Sequence, residues 1–306
     1  MKNKILITGG LGNLGSWLTS HFAKNWDVYV LAKNKRPILK DQNFTYLSCD
    51  ITKFEECKAL FDAHQFEYII HTASVNDGFV DNYYQLAIEV NTLGTRNILE
   101  SIKNHKVKHF IYMSTFQVYG QYTGTITEQT ALEPKNDYGN THLFSEFYLK
   151  QFEKQVPYSC IRLTNSYGCP LDTDSSKWYL ILNDLSRSAV KNKEIVLKSN
   201  GLAPRDFIWM GDVCQIFENL ILTEAKNEIY NLAGERTFTM LEIANYVKQA
   251  YLEVYGEEIP VKVNTEDKTT FPIPLQVSAQ KLKQVVNYDA QPHFVEEAKK
   301  IFKLVE

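Results

Sequence analysis

Two stretches of the chain hold residue types whose spacing could do chemistry. The first is TGGLGNLG, Thr8 to Gly15, in which Gly9, Gly12 and Gly15 are each three residues apart. A first glycine permits a tight turn, a second lets backbone approach a pyrophosphate, and a third lets helix and strand pack closely. The second is DYGNTH, Asp137 to His142, where Tyr138 and His142 stand four apart at the start of a helical pattern. That spacing puts both rings on one helix face, within reach of each other. A catalytic pair, a damaged one and ordinary packing all fit those six residues.

The elements around these stretches must position them. KILIT (4–8) reads as a strand that runs into the glycines, and a helix is expected from Asn13 to Lys24. The first backbone N–H groups of that helix, at Asn13, Leu14 and Gly15, would face the phosphates of a dinucleotide. Further strands are expected at 28–32, 44–48, 68–73, 108–113 and 159–164. Helical patterns lie between them at 54–64, up to about 103, and at 138–153. This alternation predicts an α/β fold, a Rossmann-type doubly wound parallel sheet. The apolar strands suit burial on both faces.

After about Asn165 the rhythm loosens. Helices are expected at 178–191, 212–223 and 239–254, with a short strand at EIVL (194–197). The reading is a dinucleotide-binding domain over 1–165 and a smaller C-terminal α/β substrate lobe over 166–306. The lobe is intertwined with the first domain, and a cleft between them would take the substrate.

Composition narrows the partners. The net charge of −3 gives no basis for binding nucleic acid through its phosphates. No apolar run reaches the ~18 residues that span a bilayer, and the N-terminus breaks at glycine too early for a signal peptide. Five cysteines without metal-ligand spacing point to a reduced, cytoplasmic protein with no metal site and no membrane partner. At the end of the second strand, the acid that would bind an adenosine ribose is replaced by Ala32. Lys33, Lys35 and Arg36 follow it. That pattern favours a 2′-phosphate and so NADP, with NAD as the alternative, although a solvated basic loop would look the same.

Five motifs in order extend these readings: TGGLGNLG, YMSTFQVYG (112–120), DYGNTH, IRLTNSYG (161–168) and RDFIWMGDV (205–213). Together they make a chain that resembles the extended short-chain dehydrogenase/reductase superfamily. Within it, the likeness is to the NAD(P)-dependent sugar-nucleotide epimerase/dehydratase family. Lesser landmarks are CDIT (49–52), HTAS (71–74), VNTLGTRNIL (90–99) and YNLAGERTFTMLEIA (230–244). The resemblance implies that Thr115, with Ser114 in reserve, holds the substrate oxygen while Tyr138 shuttles its proton. It places Asp50 and Ile51 at the adenine, and Ala73 and Ser74 near the ribose and phosphates. Asn165 and Arg205 would meet the nucleotide sugar, Arg205 at its diphosphate, and a homodimer would form through 79–103 and 138–153.

One position departs from the family. Its tyrosine is followed four residues later by lysine, and His142 stands there instead. The lysine binds the nicotinamide ribose and lowers the tyrosine pKa with a fixed charge. Free tyrosine titrates near ~10, so work near neutrality asks for ~3 units, or ~4 kcal/mol. Histidine still donates to a ribose, but its charge is conditional. Three readings follow: a slower or acid-shifted pair, a charge supplied by the oxidised nicotinamide, or a site that only binds.

The family's dehydratases carry an acidic pair just after the Ser/Thr, where this chain has Phe116 and Gln117. Neither is a general acid or base. A 4,6-dehydratase is therefore not expected. A keto-sugar reductase or an epimerase, with hydride transfer at a sugar carbon such as C4, is. The competing reading is a catalytically degenerate dinucleotide sensor or scaffold.

Overall fold

The computed structural model describes residues 2–39, 42–76, 83–175 and 177–306. Seven strands form the main sheet: β1 (Lys4–Thr8), β2 (Asp27–Ala32), β3 (Thr45–Ser48), β4 (Tyr68–His71), β5 (His109–Thr115), β6 (Tyr158–Leu163) and β7 (Glu228–Leu232). Their order is β7-β6-β5-β4-β1-β2-β3, and every pairing is parallel. The order reverses between β1 and β4, and the crevice beyond such a switch point is where open α/β sheets bind ligands.

Side-chain alternation explains why the sheet is covered on both sides. Ile5 and Ile7 of β1 point into one core with Leu18 and Phe22 of α1 (Asn13–Phe22) and Phe217 of a helix at Met210–Ile221. Leu6, between them, points into the other core with Phe61, Ile98, Leu99 and Leu149. That second face is built by α2 (Phe54–Ala63), α3 (Tyr83–Ala87), α4 (Thr95–Ile102) and α5 (Asp137–Gln151). A wide π-helical turn, Ile88–Gly94, joins α3 to α4. Residues 79–82 of the expected dimer helix lie outside the described residues.

The second half is not a separate block. Met210–Ile221 packs against α1, and β7 adds to the main sheet beside β6. Around them, the helices Ile181–Asn192, Met240–Tyr255 and Phe294–Val305 share a third core that includes Leu185, Val247 and Phe302. The last helix had no counterpart in the expected elements. Among the described residues no helix is long and apolar enough to cross a membrane.

Candidate active site

The glycine turn is built by close backbone contact. Gly9 takes φ +67°, and a Cβ there would lie 2.7 Å from the Ala73 Cα, in the loop after β4. At Gly15 a Cβ would lie 2.1 Å from the Gly9 carbonyl oxygen. Only glycine lets the turn, α1 and the β4 loop meet this closely. No side chain caps α1 at Gly12, so its first N–H groups are left for a ligand. They open onto a cavity of about 810 Å³ that runs from Asp50 and Ile51, past Ala73 and Ser74, to Thr115 and Tyr138. An uncapped helix start, a backbone cradle and a long cleft at the switch point fit a dinucleotide.

The cations expected to read a 2′-phosphate have other partners. Lys33 Nζ lies 2.8 Å from Asp50, and Arg36 grips Asp172 through two bonds of 2.9 and 2.8 Å. Arg36 also donates to the Leu11 carbonyl at 2.9 Å. These pairings tie down the basic loop from which NADP was expected.

At the other end, Asn136 caps α5 by accepting from the Gly139 N–H at 2.8 Å, which puts Tyr138 in the first turn. The Ser74 and Thr115 hydroxyls beside the Tyr138 phenol favour its ionised form. Burial nevertheless pushes its pKa well up, helped by the neighbouring Tyr83 and Tyr179 phenols. His142 follows one turn later, its ring 4.4 Å from the Tyr138 ring, edge to face. It is 1% exposed and lies behind Tyr138, outside the cavity wall. Burial, with a smaller effect from His71, holds its pKa down to about 3. Its Nδ1 meets the Tyr112 hydroxyl at 2.8 Å, and its Nε2 has no hydrogen-bond partner among the described residues. The imidazole is therefore neutral at physiological pH and is not even the partial cation its unperturbed pKa suggests.

Ser114 lines the same cavity, but its hydroxyl is engaged by a buried carboxylate. Its hydroxyl donates to Glu146 Oε1 at 2.6 Å, and Arg162 closes a fork on the same carboxylate at 3.0 and 2.6 Å. Arg162 also donates to the Tyr119 hydroxyl (3.0 Å), which donates to Asn231 (2.6 Å). The sequence reading overlooked Glu146 and Arg162. An arginine inside an apolar strand, which must find a buried partner, was the available signal.

A second cavity of about 190 Å³ adjoins the first and shares Thr115, Gln117, Thr164 and Asn165 with it. Arg205 lines it, stacked over Tyr122 at 5.0 Å and donating to the Pro204 carbonyl at 2.7 Å. Arg205 does not pair with its neighbour Asp206. That carboxylate is buried, held by Thr164 (2.6 Å) and the Gly234 N–H (2.9 Å), and pushed up to about 7 by burial. Asn165 donates to the Asp206 carbonyl at 2.9 Å. Phe116 is packed in an apolar cluster, and Gln117 accepts from Asn136 at 2.6 Å.

Comparison with known proteins follows the same lines. The model of the NAD dependent epimerase/dehydratase family matches residues 5–233. A dTDP-D-glucose 4,6-dehydratase of Dictyostelium discoideum is 29% identical over 278 residues, covering 80% of this chain. The chain spans 61% of that relative's length. A putative UDP-glucose 4-epimerase of Methanocaldococcus jannaschii is 26% identical over 256 residues, which is 80% of this chain and 81% of the relative. A UDP-glucuronic acid 4-epimerase from Bacillus cereus, solved in complex with NAD, shares the fold with a TM-score of 0.82 at 20% identity. The match covers 99% of this chain and 98% of that one.

Proposed function

The chain belongs to the NAD dependent epimerase/dehydratase family, and from that premise we propose that it moves a hydride at a sugar carbon, C4, of a nucleotide-linked sugar. The observation that supports this most is the Thr115–Tyr138 pair, set between the dinucleotide cleft and the smaller cavity that holds Arg205. Gly9, Gly12, Asn13, Leu14 and Gly15 would hold the pyrophosphate of NAD. Asp50 and Ile51 would meet its adenine, and Ala73 and Ser74 its ribose and phosphates. Bound there, the nicotinamide supplies hydride transfer and, when oxidised, a positive charge. Thr115 holds the sugar oxygen, and Tyr138 takes or returns its proton. Arg205 presents a fork of donors to the sugar's diphosphate, with Asn165 beside it.

NAD fits the ion pairs better than NADP does, because Lys33 and Arg36 already meet carboxylates. That removes the reason to prefer a reductase, which would consume NADPH. An epimerase, with no net use of the cofactor, is the reading we carry forward. Dehydration is left out because Phe116 and Gln117 offer no proton, although the Dictyostelium relative bears a dehydratase's name. The neutral His142 favours the competing reading, a protein that binds dinucleotide without turnover.

We assign residues 166–306 mainly to the substrate side, and a homodimer to the faces of α3–α4 and α5. Phe144 and Phe147 are 59% and 57% exposed there, and Tyr84 and Ile88 lie exposed on the neighbouring stretch. Large apolar side chains left in water in this way suit a partner surface.

The experiment is product analysis after mixing the protein with NAD or NADH and a panel of nucleotide sugars and their 4-keto forms. Isomerised sugar without net cofactor change supports the epimerase, and matching cofactor consumption would replace it with a reductase. Tight NAD binding with no product from any sugar would favour the binding-only reading.

A further inference from the structure

Two of the five cysteines meet at the Asp50 end of the cleft. Cys49 follows β3, Cys57 lies near the start of α2, and their sulfurs are 3.9 Å apart. No other two sulfurs among the described residues touch. Cys57 is fully buried and lies outside the cavity wall, whereas Cys49 lines the cavity beside Asp50 and Ile51. A small oxidant that enters the cleft therefore reaches Cys49, with Cys57 in contact behind it.

The segment between the two is tightly braced, so a change at the sulfurs is passed to the cavity wall. The Cys57 N–H donates to the Lys53 carbonyl (3.1 Å), the Lys53 N–H to the Asp50 carbonyl (2.9 Å), and the Asp50 N–H to Glu56 Oε2 (2.8 Å). The Cys57 thiol also donates to the Ile51 carbonyl at 3.6 Å, which Asn97 Nδ2 meets at 2.9 Å. Ile51 in turn packs on Gly94, where a Cβ would lie 2.7 Å from the Ile51 Cδ1. The contact with Cys57 favours the Cys49 thiolate, against burial and the charges of Glu56 and Asp50, while the same contact and burial push the Cys57 thiol up. The thiolate is the nucleophile in thiol oxidation, so Cys49 is the attacking sulfur and Cys57 the resolving one. Burial pushes the thiols of Cys160, Cys169 and Cys214 up.

We propose that Cys49 and Cys57 form a peroxide-sensitive disulfide that remodels the Asp50–Ile51 wall of the dinucleotide cleft. The Cys49 thiolate attacks one oxygen of hydrogen peroxide, the O–O bond breaks, and hydroxide leaves and is protonated to water, giving a sulfenic acid at Cys49. The Cys57 sulfur then attacks that sulfur. The S–S bond forms, the S–O bond breaks, and hydroxide leaves with the Cys57 proton as water. Two thiols are oxidised and one peroxide is reduced to two waters. The bond takes the Cys57 thiol proton from the Ile51 carbonyl and draws Cys49 toward α2. The disulfide stands apart from the proposed function, and its effect on NAD rests on that reading.

The test is mass spectrometry and peptide mapping of the whole protein after graded hydrogen peroxide, with NAD titration calorimetry of the reduced and oxidised forms. The expected product is about 2 Da lighter and returns to its starting mass with dithiothreitol. Trypsin cuts after Lys53, between the two cysteines, so the link should join two peptides. Cys57→Ala should stop at a Cys49 sulfenic acid that dimedone traps. The disulfide form should bind NAD about tenfold more weakly, the weight of a hydrogen bond or two, and recover on reduction. Peroxide that oxidises Cys160, Cys169 or Cys214 while Cys49 and Cys57 stay free overturns the proposal, as does peroxide that leaves all five thiols unchanged. So does a disulfide form that binds NAD as tightly as the reduced one. A reduced protein that takes up no NAD would overturn the proposed function, while the peptide map would still decide the Cys49–Cys57 link.

Discussion

The Tyr138 and His142 rings meet edge to face, 4.4 Å between centres, and the histidine is neutral because burial keeps its proton off. In the proposed reading His142 stands where a charged helper of Tyr138 would, and it carries no such charge. His142→Lys would place a cation one turn from the phenol. We expect the Tyr138 titration to move down in pH and any turnover to extend to lower pH. The substitution also strips the Tyr112 hydroxyl of its imidazole partner, a loss of about 1–3 kcal/mol in stability. A pH–rate profile and a denaturation curve check both parts. A profile that moves to higher pH would contradict the electrostatic account.

Tyr138→Phe removes the hydroxyl that lies beside Ser74 and Thr115 in the cleft. General acid–base catalysis by a positioned group contributes ~10²–10⁴-fold, so turnover should fall by about that factor. NAD affinity should change little, since the glycine turn and the start of α1 lie elsewhere in the cleft. Turnover within a few-fold of wild type would remove Tyr138 from the acid–base role.

Lys33→Ala combined with Arg36→Ala tests the cofactor. Lys33 is 68% exposed, so its pair with Asp50 is worth ~0–1 kcal/mol. Arg36 Nη2, which donates to both Asp172 carboxylate oxygens, ties the basic loop to Asp172. If both cations serve these carboxylates, the double variant should change NAD and NADP affinity by similar factors. Titration calorimetry with each cofactor measures this. A loss confined to NADP would restore the 2′-phosphate reading.

The parts of this protein that were legible in the sequence are those with local causes. Gly9, Gly12 and Gly15 announce a turn because the spacing itself specifies it, and the βα rhythm up to Leu163 follows from side-chain period. Asn165 and Arg205 came forward only through the family resemblance, since nothing beside them marks a cavity. The neutrality of His142 could not be read at all, because it depends on burial supplied by β4, β5 and α3. The return of Glu228–Leu232 to the main sheet is a long-range pairing that no local pattern encodes. The ion pairs of the basic loop were hidden for a related reason: Asp50 and Asp172 are distant in sequence from the cations they meet.

The buried Glu146–Arg162 pair should be strongly coupled. Glu146→Leu leaves the guanidinium, which is 2% exposed, without its counter-charge. Breaking a buried pair from one side costs ~3–5 kcal/mol, whereas replacing both partners with apolar groups is often close to neutral. Glu146→Leu and Arg162→Leu should each lower stability by several kcal/mol, and the two together by clearly less than the sum of those single changes. Urea denaturation of the four proteins in a double-mutant cycle measures the coupling. Additive effects would show that the two side chains act independently.

Three buried histidines should make the fold sensitive to acid. Burial depresses His71 and His142 to about 3 and His109 to about 4, while in the unfolded chain each titrates near ~6.5. Below that unfolded value the unfolded chain takes up protons that the folded protein refuses. The stability these residues contribute is thus fully present above pH ~6.5 and is lost as pH falls to about 4 for His109 and about 3 for His71 and His142, by up to ~1.4 kcal/mol per histidine per pH unit. His109 bonds to Ser159 at 2.8 Å and takes no part in the proposed chemistry, so His109→Gln isolates the effect. The variant should be less stable than wild type at pH 8 but lose stability about a third more slowly between pH 6.5 and 4.5. Urea midpoints across that range measure the slope, and an unchanged slope would mean that His109 is already charged in the folded protein.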